Sequence, residues 1–257
     1  KRFVDELQRV TGYDLSADSR EDEGKGIGDS IIQLRKSYRF GAGSGIGVLS
    51  RAVNVGNAAQ ALAILQNEEF PNVRWRKPLA ADSLGALIKN PVIEGFEHYL
   101  QAREPLECFP LFDRFRILCA VREGPWGVKN LNRLAEKVLA AQGLIRPEAR
   151  WYRGRPVMIG INDYNLRLFN GDVGIALSDP ESGGELRVFF PGGQGTVRKF
   201  HPLRLPEHET VFAMTVHKSQ GSEFDRVLLI LPDRDTPVLT RELLYTAITR
   251  AREDVEI

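Results

Sequence analysis

Residues 210–214 and 226–231 are two apolar runs of strand length, and between them lies Thr215-Val216-His217-Lys218-Ser219-Gln220-Gly221-Ser222-Glu223-Phe224-Asp225. Runs that stay apolar without alternating belong to strands covered on both faces, as in the parallel sheets of layered α/β proteins. In such sheets the reactive groups collect in loops at strand ends. The intervening segment has the composition of such a loop, with hydroxyls, an imidazole, an ammonium, an amide and a carboxylate. Downstream, Leu243, Leu244, Ala247, Ile248 and Ala251 recur at helical spacing and predict one apolar helix face. Thr246 and Arg250, four residues apart, then share an edge of that helix.

The preceding chain alternates in the same style. Ile31-Ile32-Gln33-Leu34 reads as a short strand, and Ile46, Leu49 and Val53 mark a helix that stops at Gly56. Asn57 caps a second helix through Ala61, Ile64 and Leu65. Residues 73–77 form an edge strand, and 82–101 one or two helices around Pro91. Residues 115–121 make an apolar strand interrupted by Arg116, and the apolar positions of 128–139 repeat at helical spacing up to Gly143. This alternation predicts an open α/β sheet. Between 145 and 206 the period changes to short β-type runs at 156–161, 173–177, 186–190 and 196–200. Asn170-Gly171, Ser182-Gly183-Gly184 and Pro191-Gly192-Gly193 separate them as turns, which predicts a small inserted β-barrel. Residues 1–10 read as an amphipathic helix and 15–30 as a mobile loop, so the expected organisation is 1–30, 31–144, the insert 145–206, and 207–257. Asp5-Glu6 reads as a solvated helix face, because a Walker B acidic pair should follow a full apolar strand and only Phe3-Val4 precede it.

Composition narrows the functions. A net charge of +1 creates no global basic field, so any nucleic-acid contact must come from a local groove. Cys108 and Cys119 have no metal-binding spacing and read as reduced thiols of a cytosolic protein, with no metal site implied. No apolar run is long enough to span a bilayer, and no signal peptide opens the chain. Gly41-Ala42-Gly43-Ser44-Gly45-Ile46-Gly47 is a glycine-rich turn leading into a helix, since GxxxxGK[ST] occurs nowhere in the sequence. Trp75 between Arg74 and Arg76 can stack a base but more simply packs.

The wordings TVHKSQGSEFD and YTAITRARE, with Lys36-Ser37-Tyr38-Arg39-Phe40 upstream, resemble motifs V, VI and IV of superfamily 1 DNA helicases. Within them the chain is similar to the RecD-type branch, in particular the alpha subunits of exodeoxyribonuclease V. The likeness runs through 114–125, 154–175 and 205–252 and covers most of the chain beyond residue 30.

That resemblance implies a RecA-like second motor domain without its own P-loop, carrying an SH3-like barrel. It implies ATP with Mg2+ as cofactor, the metal being held by a first motor domain that these residues do not include. Arg39 and Arg250 would reach the γ-phosphate, Tyr38 would lie by the base, Glu223 would bond the ribose, and Gly221 would admit close backbone approach. Thr215 and His217 would face single-stranded DNA or relay between it and the nucleotide. Asn162 falls in the insert's most characteristic wording, where a DNA contact and a turn-forming Asn-Asp are equal alternatives, and Arg150, Arg153 and Arg155 make the insert's entrance basic. The implied partners are single-stranded DNA, the N-terminal motor domain, and the beta and gamma subunits, with the nuclease in the beta subunit. The activity would be 5′-to-3′ translocation in double-strand-break repair, in the cytoplasm and away from any membrane. The alternatives are a stand-alone RecD-like or conjugative relaxase helicase, and a non-catalytic DNA-binding or scaffold module.

Overall fold

The computed structural model describes residues 40, 44–67, 69–76 and 83–257. The strand expected at 31–34, the N-terminal helix and loop, Asp5-Glu6, Tyr38 and Arg39 lie outside them. The elements run α1 (Gly45–Asn54), α2 (Ala58–Gln66), β1 (Val73–Arg74), α3 (Leu84–Gln101), α4 (Pro105–Phe112), β2 (Phe115–Cys119) and α5 (Val128–Ala141). Then come β3 (Pro156–Ile159), β4 (Val173–Ser178), β5 (Leu186–Pro191), β6 (Val197–Phe200), β7 (His208–Thr210), β8 (Ala213–Thr215), β9 (Phe224–Ile230), α6 (Arg241–Ile248) and β10 (Ala251–Glu256).

The runs at 115–119 and 224–230 become buried parallel strands, whereas the run read at 210–214 is divided: Thr210 ends the antiparallel β7 and the parallel β8 begins at Ala213. One sheet has the order β1-β10-β9-β2-β8, with every neighbouring pair parallel. Helices α1 and α6 pack together beside β9 and β10, while α3 and α5 cover β2 and β8. Phe96 of α3 anchors the core, with the rings of Tyr99, Phe112, Phe115 and Phe212 centred 5.0–5.9 Å away. Gly95 makes this possible, because a Cβ there would stand 2.1 Å from the Phe115 ring. Helix α3 is single and runs through Pro91. The carbonyl that proline cannot serve, that of Leu87, receives Arg76 Nη1 instead, at a long 3.5 Å. Asn57 caps α2 as expected, its Oδ1 accepting from Gln60 N–H at 3.0 Å.

The second sheet is antiparallel, in the order β6-β5-β4-β3-β7. It lies in sequence between β2 and β8, which are neighbours in the first sheet. Its runs are apolar on both faces for a visible reason. Val157, Ile159, Ala176, Val188 and Phe190 form its own small core, whereas the alternate residues Met158, Ile175, Leu177 and Phe189 join the main core. The insert is thereby docked on the main core, where α4 meets β4 and β5.

One expectation fails. Ala251 does not continue the α6 face: the helix ends at Ile248 and Ala251 opens β10. Thr249 Oγ1 donates to the carbonyls of Tyr245 (2.9 Å) and Thr246 (3.1 Å), and Arg250 N–H goes to Ala247 O (3.1 Å) in place of the Thr246 carbonyl that a continuing α-helix would use. Arg250 therefore lies in the turn after the helix rather than along its edge. No helix among the described residues is long and apolar enough to cross a membrane.

Candidate functional site

Strands β8 and β9 are parallel members of one sheet, but β2 lies between them. A parallel crossover normally takes a dozen or more residues and a helix. Here residues 216–223 make it with a single 3-10 turn, His217–Ser219. The segment is tied down along its length. Val216 N–H donates to Cys119 O at the end of β2 (3.0 Å), and the buried Ser219 hydroxyl donates to Val216 O (2.7 Å). Thr215, at 9% exposure, caps the turn by accepting from Lys218 N–H at 3.3 Å. Gly221 then takes φ +89°, a left-handed conformation in which a Cβ would meet nothing within 4 Å. Glycine is required there for the backbone angle and not for lack of room.

The turn after α6 closes onto this crossover. Arg250 Nε donates to Thr246 O (3.2 Å) and its Nη1 to Ser222 O (3.0 Å), between Gly221 and Glu223. Arg252 Nε donates to Glu223 Oε2 at 3.1 Å, and its Nη1 stands 3.8 Å from Asp225 Oδ1. Asp225 also pairs with Arg114 (3.3 Å). A cleft of about 210 Å³ opens between the sheets here, lined by Asp113, Arg116, Met158, Val173, Lys218 and Glu223 among others. Arg116 is buried, donates to Val211 O (2.7 Å) and Asp113 Oδ1 (3.3 Å), and lies 3.8 Å over the Phe112 ring. Burial lowers its pKa to about 10, opposed by Asp113, so it stays charged at neutral pH.

The sequence-predicted residues Gly221, Glu223 and Arg250 are thus brought together on one turn pair. His217 is exposed, while Thr215 is buried and spends its hydroxyl on the turn, so only His217 faces solvent. Asn162 lies in the β3–β4 connection of the insert, where its Oδ1 accepts from Asn170 N–H at 2.8 Å. Asn170 Oδ1 in turn accepts from Lys218 Nζ at 2.5 Å, so Asn162 closes the hairpin that touches the crossover. Of the basic entrance read at Arg150, Arg153 and Arg155, the last two are internal braces, while Arg150 is exposed. Arg153 donates to Leu100 O (2.7 Å) and Ala102 O (2.6 Å) at the end of α3, and Arg155 donates to Thr210 Oγ1 and Arg150 O beneath Trp151. Arg74 and Arg76 are paired with Asp254 and Glu256. Sequence reasoning missed Arg252, whose position depends on β10, and Lys218, whose contact lies across to the insert.

Chemically, the cluster offers a guanidinium for phosphate oxygens, a carboxylate that can accept from hydroxyls, and a glycine turn open to close approach. These donors and acceptors fit one wall of a nucleotide site. Among the described residues no three His, Cys, Asp or Glu side chains are grouped to hold a metal ion.

Residues 210–257 match the UvrD-like helicase C-terminal domain family. The chain is 37% identical over 236 residues to the RecBCD enzyme subunit RecD of Mycobacterium tuberculosis, covering 88% of this chain and 38% of that protein. It is 36% identical over 146 residues to the ATP-dependent RecD2 DNA helicase of Deinococcus radiodurans, covering 54% of this chain and 19% of that one. Among solved structures, Bacteroides Pif1 bound to single-stranded DNA aligns over 88% of this chain and 51% of that chain, with 18% identity and a TM-score of 0.46. The chain spans about two fifths of the length of the Mycobacterium relative. By these sequence matches the chain belongs to the RecD-type branch of the superfamily 1 helicases, as a C-terminal motor-domain portion.

Proposed function

We propose that this chain is the second motor domain of an ATP-dependent, 5′-to-3′ DNA helicase subunit acting in double-strand-break processing as the alpha subunit of exodeoxyribonuclease V. Among the described residues, 44–144 and 211–257 form the RecA-like body and 145–210 an SH3-like barrel, the insert's last strand β7 (His208–Thr210) running past the boundary at 206 read from the sequence. ATP with Mg2+ binds between this body and a first motor domain that supplies the P-loop lysine and the metal-holding carboxylates. Arg39 and Arg250 meet the γ-phosphate, Tyr38 the base, and Gly221 and Glu223 the nucleotide's sugar side. Single-stranded DNA passes by His217 and the Asn162 hairpin, with Thr215 relaying from below. The beta and gamma subunits are the partners, and the cytoplasm the location.

The observation that carries this reading is the hydrogen bond from Arg250 Nη1 to Ser222 O. It fixes a permanent cation against the segment that bears Gly221 and Glu223, so one movement of the crossover moves all three. A pre-placed guanidinium stabilises charge that spreads over phosphate oxygens in the transition state. The test is DNA-stimulated ATP hydrolysis by the native full-length protein with its partner subunits. Arg250→Ala is expected to lower kcat by about a thousandfold or more, with KM changed only a few-fold, and the 257-residue chain alone is expected to hydrolyse nothing. Wild-type turnover by Arg250→Ala, or hydrolysis by the chain alone, would refute the proposal.

A further inference from the structure

Strand β10 does not pair regularly with β9. Ala251 lies opposite Phe224 and Asp254 opposite Arg226, so the register shifts between them at Arg252-Glu253. Such bulges turn a side chain away from the direction the pleat would give it. Arg252 is the residue so turned, and its guanidinium lies against Glu223 Oε2 (3.1 Å) and near Asp225 Oδ1 (3.8 Å). Glu223 and Asp225 are two apart at the start of an extended strand, which puts both carboxylates on the same side. A planar fork can address the two at once, as a single ammonium cannot. Arg114 holds the far side of Asp225 at 3.3 Å, so the charges alternate along Glu223, Arg252, Asp225 and Arg114.

We infer that Arg252 is a positioning residue for nucleotide recognition, holding the Glu223 carboxylate in the orientation that accepts a ribose hydroxyl. The inference rests on the assignment of Glu223 to the ribose proposed above. Two physical reasons support it. A carboxylate beside a triphosphate is repelled unless cations neutralise it, and Arg252 is a cation in direct contact with it. A carboxylate has about four lone-pair sites on two oxygens, so a bond at Oε2 sets its plane without exhausting its capacity as an acceptor. Glu223 keeps 27% side-chain exposure in this arrangement, so the clamp leaves it reachable.

The test compares KM and kcat for ATP and for 2′,3′-dideoxy-ATP, which lacks both ribose hydroxyls, in DNA-stimulated hydrolysis by the full-length protein. The variants are Glu223→Ala, Arg252→Ala and Arg252→Lys. Wild type is expected to prefer ATP in KM, and Glu223→Ala to lose that preference. Arg252→Ala is expected to raise KM for ATP about tenfold, with kcat within about twofold and KM for the dideoxy nucleotide unchanged. Arg252→Lys should recover part of the loss through its charge. If Glu223→Ala abolishes the preference and Arg252→Ala leaves it intact, the inference is wrong and the ribose assignment stands. If Glu223→Ala keeps the preference, that assignment itself falls, and the inference with it. A lower KM for ATP in Arg252→Ala would mean that Arg252 competes with the ribose, and equal losses with both nucleotides would make it a structural brace; either overturns the inference.

Discussion

Strand β8 is the outer strand of the parallel sheet, yet Ala213 is 1% exposed, so its outward N–H and C=O cannot be left to bulk water. Asn132 of α5 supplies the missing neighbour. Its Oδ1 accepts from Ala213 N–H at 2.9 Å, and its Nδ2 donates to Ala213 O at 2.9 Å and to Val128 O at 3.0 Å. One side-chain amide thus substitutes for a strand. Asn132→Leu, close in volume, would strand a buried donor and a buried acceptor, at about 1–3 kcal/mol each. The added apolar burial returns about 1 kcal/mol, so the expected net destabilisation is about 1–5 kcal/mol, centred on about 3 kcal/mol. Urea unfolding followed by tryptophan fluorescence checks it, and with a slope of about 2–3 kcal/mol/M the midpoint should fall by about 1–1.5 M. Asn132→Asp separates the parts: it keeps the acceptor for Ala213 N–H but sets an ionised carboxylate against two carbonyls, so its penalty should ease as pH falls and the acid gains a proton to donate. A change below about 0.5 kcal/mol for Asn132→Leu would refute the account of this edge.

Other expectations follow from titrating groups. Burial pushes the Cys108 thiol up to about 11 and the Cys119 thiol up to about 12, the latter against the pull of a hydrogen bond from the Val121 backbone, so both stay protonated at mildly alkaline pH. Alkylation needs the thiolate, so mass spectrometry of native protein treated with iodoacetamide at about pH 8 should find neither modified while urea-unfolded protein is labelled at both; rapid native labelling would contradict their burial. Asp179 is held below the ordinary carboxylate value by hydrogen bonds from Lys199 and Ser182. A depressed carboxylate contributes stability above its unfolded pKa, about 4, and loses it as pH falls through the folded value. Melting temperatures of wild type and Asp179→Asn should therefore converge in acid and separate above it, and parallel curves would argue against the pairing.

What the sequence revealed depended on how local the cause was. The strands β2 and β9 are readable because parallel strands buried on both faces need no alternation. Arg116 looked like an interruption of β2 and is a fully buried member of it, because Asp113 and the Val211 carbonyl wait for it from other segments. Strand β10 was invisible: Arg252-Glu253-Asp254 is a charged run, and only its pairing with β9, set by a bulge, makes it a strand. Helix α4 escaped notice because Pro105 and Pro110 flank a short, largely apolar segment with no polar periodicity. At the site, Gly221, Glu223 and Arg250 were legible from their local wording. Arg252, Arg153 and Arg155 were not, since a basic residue in a string does not say whether its partner is a carboxylate, a carbonyl or solvent.

The place of the insert bears on how the chain reaches this structure. The pairing of β2 with β8 joins residues such as Cys119 and Met214 that are 95 positions apart. The insert's first and last strands, β3 and β7, lie side by side, with Arg155 Nε on Thr210 Oγ1 across 55 positions. If the insert forms first, its ends are already together and the remaining closure is short; if it does not, the main sheet must close one long loop with the entropy that demands. The insert then acts as a clasp during folding, and a lesion such as Val188→Ala in its own small core should slow acquisition of the parallel sheet, although Val188 belongs to a separate core cluster.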